Sequence, residues 1–351
     1  MRIGILTSGG DAPGMNGAIR SVTRGGLARG HTVLGIRHGY EGLLAADAVA
    51  LSLAEVDGIS RYGGTLLGSA RSTLFPTEEG QELAVQRLNE LDLGGLVVVG
   101  GNGSLAGAHA LAQRTSCQVV GLPASIDNDV GHTRLAIGVD TAVNTIVEAC
   151  DRISDTARAH RRAFIVEVMG RDCGYLAMRA GIAADADAIL YGERQESEDT
   201  VVERLGGLLR DSFTDDRGKK RVLIVKAEGM GVPTHRLVER LQAVLERDVP
   251  GVGIRATILG HLVRGGSPSA LDRLIAQRLA LSAVLALEQG ATDVMMAWEP
   301  RDVGQATVDP SVRRVALSEV LEETRRMLSG TSETMQGRLA LLAKAEGIIA
   351  L

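Results

Sequence analysis

The sequence predicts an α/β fold of two doubly wound lobes, each a mainly parallel sheet flanked by helices. Three observations carry this. Short, near-continuous apolar runs alternate with longer helical patterns, and glycine-rich loops follow several of those runs directly. The chain has 351 residues, more than the roughly 250–300 that one core usually sustains.

Strands are expected at 2–7, 32–36, 95–99, 119–122, 164–168, 222–225, 256–259 and 294–297. Their unbroken hydrophobicity suits parallel strands covered on both faces. Helical patterns lie between them, as at 15–28 and 81–90. The alternation implies right-handed crossovers, with ligands at the carboxyl ends of the strands. The charged stretch 211–220 reads as an exposed connection, and the segment from about Val312 as helices joined by Leu328-Ser329-Gly330-Thr331.

Hydrophobic residues make up 45% of the chain and aromatics 2%, so the core must be aliphatic. A formal net charge of −5 argues against wholesale binding of nucleic acid or an anionic membrane. No run of about 18 apolar residues suggests a membrane span, and the apolar start is too short for a signal peptide. Cys117, Cys150 and Cys173 are odd in number and lack metal-site spacing, so reduced thiols in a cytoplasmic protein are expected.

Three loops carry candidate chemistry. Ser8-Gly9-Gly10-Asp11-Ala12-Pro13-Gly14 follows the first strand and opens a helix. Its glycines let backbone amides approach an anion, and the helix N-terminus adds positive potential. It is neither a Walker motif nor a GxGxxG fingerprint, and a plain strand–helix turn could use the same residues. Val99-Gly100-Gly101-Asn102-Gly103-Ser104-Leu105-Ala106-Gly107 is a second candidate phosphate cradle, or a tight turn. Gly121-Leu122-Pro123-Ala124-Ser125-Ile126-Asp127-Asn128-Asp129 places carboxylates on alternate residues past a strand. If the segment is extended, Asp127 and Asp129 point the same way. One can accept a proton from a hydroxyl nucleophile and the other can hold Mg²⁺ through water; a helix cap or turn cluster is the plainer alternative.

Arginines accompany these loops at Arg71, Arg161, Arg162, Arg171, Arg255 and Arg264, with His261 beside the last. Their forks suit phosphate recognition, although each taken singly also suits a surface ion pair.

Taken together, the residues resemble the phosphofructokinase family, and within it the bacterial ATP-dependent enzymes. The resemblance runs from Arg2 to about Pro300 and includes Ser8 to Asn16, Gly63-Gly64-Thr65-Leu66-Leu67-Gly68-Ser69-Ala70-Arg71, Ser125 to Asp129, Val166-Glu167-Val168-Met169-Gly170-Arg171 and Arg255 to Arg273. It implies transfer of the γ-phosphoryl of ATP, with Mg²⁺, to the 1-hydroxyl of fructose 6-phosphate, at a cleft between the lobes. The implied lobes are 1–137 with 257–302, which binds nucleotide, and 138–256 with 303–351, which binds sugar phosphate and carries a helical tail. By position, Asp127 would be the general base and Asp129 would assist at the metal together with Asn102. Gly10, Arg71 and the loop Gly101, Asn102, Gly103 and Ser104 would hold nucleotide phosphates; Tyr40, Ser72 and Gly107 would line the nucleotide pocket. Arg171 would offset charge on the transferring group. Ser125, Met169, Gly170, Glu228, His261 and Arg264 would bind the sugar phosphate. Arg162 and Arg255 would reach it from a neighbouring subunit of a homotetramer.

The chain departs from the family pattern at several places. Asn102 stands where Asp is usual, keeping a carbonyl oxygen and losing the charge that Mg²⁺ prefers. Ser125 replaces a usual Thr, Val263 a usual Gln, and Ser72 a common aromatic. Gly103 and Ala124 stand where pyrophosphate-using relatives carry Asp and Lys, which favours ATP as donor. A pyrophosphate-dependent enzyme, a kinase of a related sugar phosphate and a non-catalytic sugar-phosphate sensor are the competing readings; Asp127 and Arg171 speak against the sensor, since binding alone needs no base. NAD and lipid kinases share a glycine loop but would not account for Ser125 to Asp129 or Arg255 to Arg264. Arg20, Arg24, Asp187, Lys219 and Lys220 match effector-site positions loosely, and Ser154 occupies a position where regulated enzymes have Arg. We therefore expect weak regulation by ADP or phosphoenolpyruvate; strong phosphoenolpyruvate inhibition with cooperative sugar kinetics would contradict this.

Overall fold

The computed structural model describes residues 1–214, 219–299 and 303–349. The chain forms two compact units: Met1–Thr141 with Arg264–Ser329, and Ala142–Val263 with the segment from Gly330. The first unit opens with β1 (Arg2–Ser8), α1 (Met15–Ala28), β2 (Thr32–Ile36), α2 (Gly39–Leu44), β3 (Ala48–Ala50), α3 (Glu78–Glu90), β4 (Gly95–Gly100), α4 (Asn102–Ala112) and β5 (Gln118–Pro123). The helix α5 (Val139–His160) spans the boundary. The second unit continues with β6 (Arg162–Val168), α6 (Tyr175–Ala183), β7 (Ala188–Leu190), α7 (Glu198–Thr214), β8 (Arg221–Ala227), α8 (Thr234–Asp248) and β9 (Ile254–Ile258). The chain then returns to the first unit through α9 (Ala270–Glu288), β10 (Val294–Trp298), β11 (Gln305–Ala306), β12 (Val312–Ala316) and α10 (Leu317–Leu328), and ends in the second with α11 (Glu333–Ile349).

The first sheet has the order β11-β12-β10-β5-β4-β1-β2-β3. Its middle strands, β10 through β2, are parallel; β3, β12 and β11 add on antiparallel. In β4 all six residues are buried, as two-sided cover demands. On one face Leu6, Ile36, Leu96 and Val98 pack with Leu88 of α3, Leu105 and Leu111 of α4 and Val320 of α10. On the other, α1 packs on α9, where Gly17 lets the helices approach. The second sheet, β7-β8-β6-β9, is wholly parallel. Ile165, Ile224 and Val222 meet Leu205 and Leu209 of α7 and Leu237 and Leu241 of α8. Each such fully buried aliphatic contributes about 1.5–3 kcal/mol relative to exposure.

The parallel strands expected from apolar runs are present, and the α3 pattern extends back to Glu78 because Thr77 Oγ1 accepts the Gly80 amide as a helix cap. Other expectations are corrected. Val312–Ala316 is a strand, not a helix start, because it finds an antiparallel partner in β10. Residues 303–329 therefore belong to the first unit rather than to the second, and 138–141 also lie in the first. Conversely, 257–263 stay with the second unit, since β9 pairs with β6. The stretch 211–214 closes α7, with Ser212 and Phe213 buried; Asp215, Asp216, Arg217 and Gly218 lie outside the described residues, as do Pro300 and Asp302. The strand β9 is an edge strand with Arg255, Ala256 and Ile258 exposed, not covered on both faces. The short strands β3, β7 and β11 have too few residues to show an apolar run.

Asp272 fastens α9 to the start of α5. Its buried carboxylate accepts from Gly138 N (2.9 Å), Thr141 N (2.8 Å) and Thr141 Oγ1 (2.6 Å), while Ser269 caps the helix on the Asp272 amide. Asp272→Ala leaves these donors without that acceptor, so we expect a loss on the order of 3 kcal/mol in chemical denaturation, with a smaller loss for Asp272→Asn.

Candidate active site

The parallel register sets the level at which three loops begin. Ser8 pairs with Gly100, and Gly100 with Pro123, so β1, β4 and β5 end in one row. The Ala124 amide extends the row by donating to Gly100 O at 2.9 Å. All three expected loops therefore leave the same edge of the sheet. Two of them enter helices, α1 after Gly14 and α4 after Gly101, and neither helix has an acidic residue in its first turn. First-turn amides carry positive potential at both starts; at α4 the Asp129 carboxylate lies beside it, 2.7 Å from Asn102 Nδ2.

The first loop is braced on both sides. Arg264 Nη1 donates to Asp11 O at 3.0 Å, and its guanidinium lies over Gly10, where a Cβ would sit only 2.8 Å from Nη1. Ser69 Oγ donates to Gly9 O at 2.5 Å. The 62–71 segment hangs on α1 and β1: Asn16 Nδ2 donates to Tyr62 O and Gly63 O, Asn16 Oδ1 accepts from Leu66 N, and Thr7 Oγ1 donates to Gly68 O. Arg71 is exposed beyond it and makes no hydrogen bond or ion pair among the described residues. Asn16, inside the matched Ser8 to Asn16 motif, had no expected role; a buried amide in a helical first turn is the signal that marks such a clamp.

The second loop is pinned from below. Tyr40 is buried, stacks on Phe75 at 3.8 Å between ring centroids, and donates its hydroxyl to Ser104 O at 2.7 Å. Burial pushes its phenol pKa up. Gly107 lies beneath the aromatic pair, where a Cβ would approach the Tyr40 ring to 2.9 Å and Phe75 to 2.7 Å. Ser72 Oγ accepts the Phe75 amide at 3.1 Å. Tyr40, Ser72 and Gly107 thus support the wall of the loop, and Phe75 is a member the sequence reading missed. At Gly103 a Cβ would meet nothing within 4 Å, so the space in front of the loop is open.

The third loop shows the expected alternation in burial, with Ser125, Asp127 and Asp129 partly exposed and Ile126, Asn128 and Val130 buried. It is not extended, however. Asn128 takes a left-handed φ of 50° and braces the loop by donating to Arg134 O (3.1 Å) and accepting from Ala136 N (3.0 Å). Asp129 joins the second and third loops. Its Oδ1 accepts from Ser125 Oγ (2.9 Å) and its Oδ2 from Asn102 Nδ2 (2.7 Å). Thr324 of α10 donates to Asn102 Oδ1 at 3.4 Å and accepts from Gly131 N at 2.8 Å. Thr324 lies 222 residues from Asn102, and no sequence signal pointed to it.

The remaining expected residues lie in the second unit. Met169, Gly170 and Arg171 follow β6, and Glu228 follows β8. The Glu228 amide donates to Val168 O at 2.8 Å, and Glu228 Oε1 accepts from Gly170 N at 3.3 Å, tying the two strand ends together. Met169 is buried; Arg171 is exposed. Arg162 begins β6. Arg255 projects from the open edge β9, with its Nη1 on Ile254 O, and His261 is exposed in the short helical turn Gly260–Arg264. Of the effector positions, Arg20 and Arg24 lie on α1, whereas Asp187, Lys219 and Lys220 line a groove in the second unit with Arg158 and Arg221. There Asp187 is engaged by Lys219 (2.7 Å), Arg221 (3.4 Å) and the Leu223 amide (2.8 Å), and Ser154 is buried.

Doubly wound parallel sheets with glycine loops opening helices at one edge define a class of phosphate-binding α/β proteins. A phosphofructokinase family model matches residues 2–287, and the chain belongs to that family. It is 46% identical over 298 residues to an ATP-dependent 6-phosphofructokinase of Thermotoga neapolitana, covering 85% of this chain and 90% of the relative. It is 44% identical over 313 residues to ATP-dependent 6-phosphofructokinase 1 of Thermus thermophilus, covering 89% and 94%. A solved phosphofructokinase of Saccharomyces cerevisiae superposes with a TM-score of 0.83 at 32% identity, covering 97% of this chain; the chain spans about half, 48%, of that yeast chain.

The Asn102–Asp129 hydrogen bond generates a test. Asn102→Asp sets two carboxylates at hydrogen-bond distance, and we expect it to lower stability by about 1–3 kcal/mol without divalent cation. Added Mg²⁺ should raise the melting temperature of the variant and leave that of the wild type nearly unchanged. The variant should also need less Mg²⁺ for activity. Equal Mg²⁺ responses of the two proteins would refute the assignment.

Proposed function

We propose that this chain is an ATP-dependent 6-phosphofructokinase, transferring the γ-phosphoryl of ATP to the 1-hydroxyl of fructose 6-phosphate in glycolysis. The observation that carries the reading is the common row of strand ends, which places Asp127 in a loop leaving the same sheet edge as two glycine loops. Phosphoryl transfer asks the protein for alignment and charge neutralisation more than for covalent chemistry. Asp127 takes the proton of the sugar hydroxyl as its oxygen bonds to the γ-phosphorus; the bond from that phosphorus to the β–γ bridging oxygen breaks, and ADP leaves.

Gly10, Gly101, Gly103 and Ser104, with Arg71, hold the nucleotide phosphates in this reading. Mg²⁺, when bound, supplies charge neutralisation on those phosphates. Asp129 and Asn102 would hold it, and the donor set fits a cation carried by the nucleotide. No group of three or more His, Cys, Asp or Glu that could cage a metal gathers among the described residues, and Mg²⁺ characteristically combines one or two carboxylates with substrate phosphates. Buried Ala124 and open Gly103 suit ATP. Ser125, Arg162, Met169, Gly170, Glu228, Arg255, His261 and Arg264 are assigned to the sugar phosphate and Arg171 to the transferring group, on the residue-by-residue resemblance.

The same reading includes a homotetramer, in which Arg162 and Arg255 serve a neighbouring subunit. The open edge at β9, with Ile258 at 64% and Leu262 at 60% exposure, supports an interface there. It also includes a cytoplasmic location. No described helix is long and apolar enough to cross a membrane. Cys117, Cys150 and Cys173 are buried and form no disulfide, and burial pushes the Cys117 thiol up to about 12 and Cys150 up to about 11.

A coupled assay of fructose 6-phosphate with ATP against pyrophosphate is the direct test. We expect turnover with ATP and little with pyrophosphate. Asp127→Ala should lower kcat by roughly 10²–10⁴ with the KM for ATP nearly unchanged. A preference for pyrophosphate, or full activity without the Asp127 carboxylate, would overturn the reading.

A further inference from the structure

Lys226 is the largest fully buried side chain among the described residues, in a strand whose other inward residues are aliphatic. Burying a charge is costly unless it is paired and hydrogen-bonded, and an apolar residue of similar volume often serves packing as well or better. Its neighbours explain where the charge goes. Lys226 Nζ donates to Glu167 Oε2 at 3.0 Å and to Ala227 O at 3.3 Å. The same Glu167 oxygen accepts from Thr234 Oγ1, the first residue of α8. Glu167 and Lys226 face each other in the parallel register, each one residue before its strand ends. The Glu167 carbonyl also accepts from Leu259 N at 2.9 Å, at the exit of β9.

Three adjacent strand ends, β8, β6 and β9, are thus cross-linked through Glu167. Two residues further on, the three strands deliver Glu228, Met169 and His261. All three are assigned to the sugar phosphate by the reading above, on which this inference rests. We propose that Lys226 is a positioning residue for fructose 6-phosphate. Its charge fixes the Glu167 carboxylate, and Glu167 holds the three exits at one height. An aliphatic residue at 226 would fill the space but leave the carboxylate to turn away and the exits to shift relative to one another. Asp127, the glycine loops and the nucleotide ligands belong to other elements, so the consequence should be confined to sugar binding.

The test uses the full chain and compares wild type, Lys226→Met and the double variant Lys226→Met/Glu167→Gln by steady-state kinetics and thermal unfolding. For Lys226→Met we expect the KM for fructose 6-phosphate to rise about tenfold, with kcat within about twofold and the KM for ATP unchanged. The double variant removes the part-buried carboxylate left without its lysine; it should regain melting temperature yet keep the raised sugar KM. If Lys226→Met does not fold, the double variant alone decides: a raised sugar KM supports the proposal, and a wild-type value overturns it. Recovery of both stability and sugar KM in the double variant would reduce the pair to a structural role and overturn the proposal. A wild type that does not phosphorylate fructose 6-phosphate overturns the functional reading, and this inference with it. An active wild type with an unchanged Lys226→Met overturns this inference alone.

Discussion

Parallel pairing is the constraint on which the candidate site depends. Strands that run the same way end on the same edge, and every segment that follows them must leave from there. In the first sheet the register brings Ser8, Gly100 and Pro123 level. Two glycine-rich loops and a carboxylate loop, which follow Ser8, Gly100 and Pro123, then begin side by side. The helices that follow the two glycine-rich loops turn their amide ends toward the same edge, which favours negative charge there.

Holding loops at such an edge poses a problem that the two units solve differently. In the first unit Asp129 receives neutral donors, the Ser125 hydroxyl and the Asn102 amide. These hydrogen bonds hold the second and third loops together. An aspartate at 102 would break that junction, because two carboxylates at that distance repel. In the second unit the strand ends are joined by a charged pair, Lys226 with Glu167, and the lysine is buried. The paired lysine and carboxylate join these strand ends without help from an added ion.

Support for the loops reaches well beyond the loops themselves. The Tyr40–Phe75 stack holds α4 through Gly107 and Ser104, Asn16 ties α1 to the 62–66 segment, and Thr324 bonds to Asn102 from near the chain's C-terminal end. The loops are held by side chains that lie far from them in sequence. The segment from Val312 contributes in the same way: as β12 and α10 it extends the first sheet and brings Thr324 to Asn102.

The fold class, the main parallel strands and the three loops were legible in the sequence because each is written in contiguous residues. An apolar run bounded by glycine is a local pattern, and so are carboxylates on alternate positions. The family likeness rested on the same ordered motifs. What the sequence did not show depends on distant partners. Val312–Ala316 reads as the start of a helix, and only the open side of β10 made it a strand. The short strand β7 and the edge position of β9 follow from sheet order, which no local pattern records. Asn102 could be seen by itself to lack a charge; that its amide spends a hydrogen on Asp129 required the third loop to fold back against the second. Lys226 follows the apolar run 222–225 with no partner near it in sequence; the parallel register sets Glu167 beside it. Residue types and spacing determined which chemistry is available, whereas strand pairing across long stretches of chain decided which groups meet, since hydrogen bonds and charges act over a few ångströms of space regardless of separation in sequence.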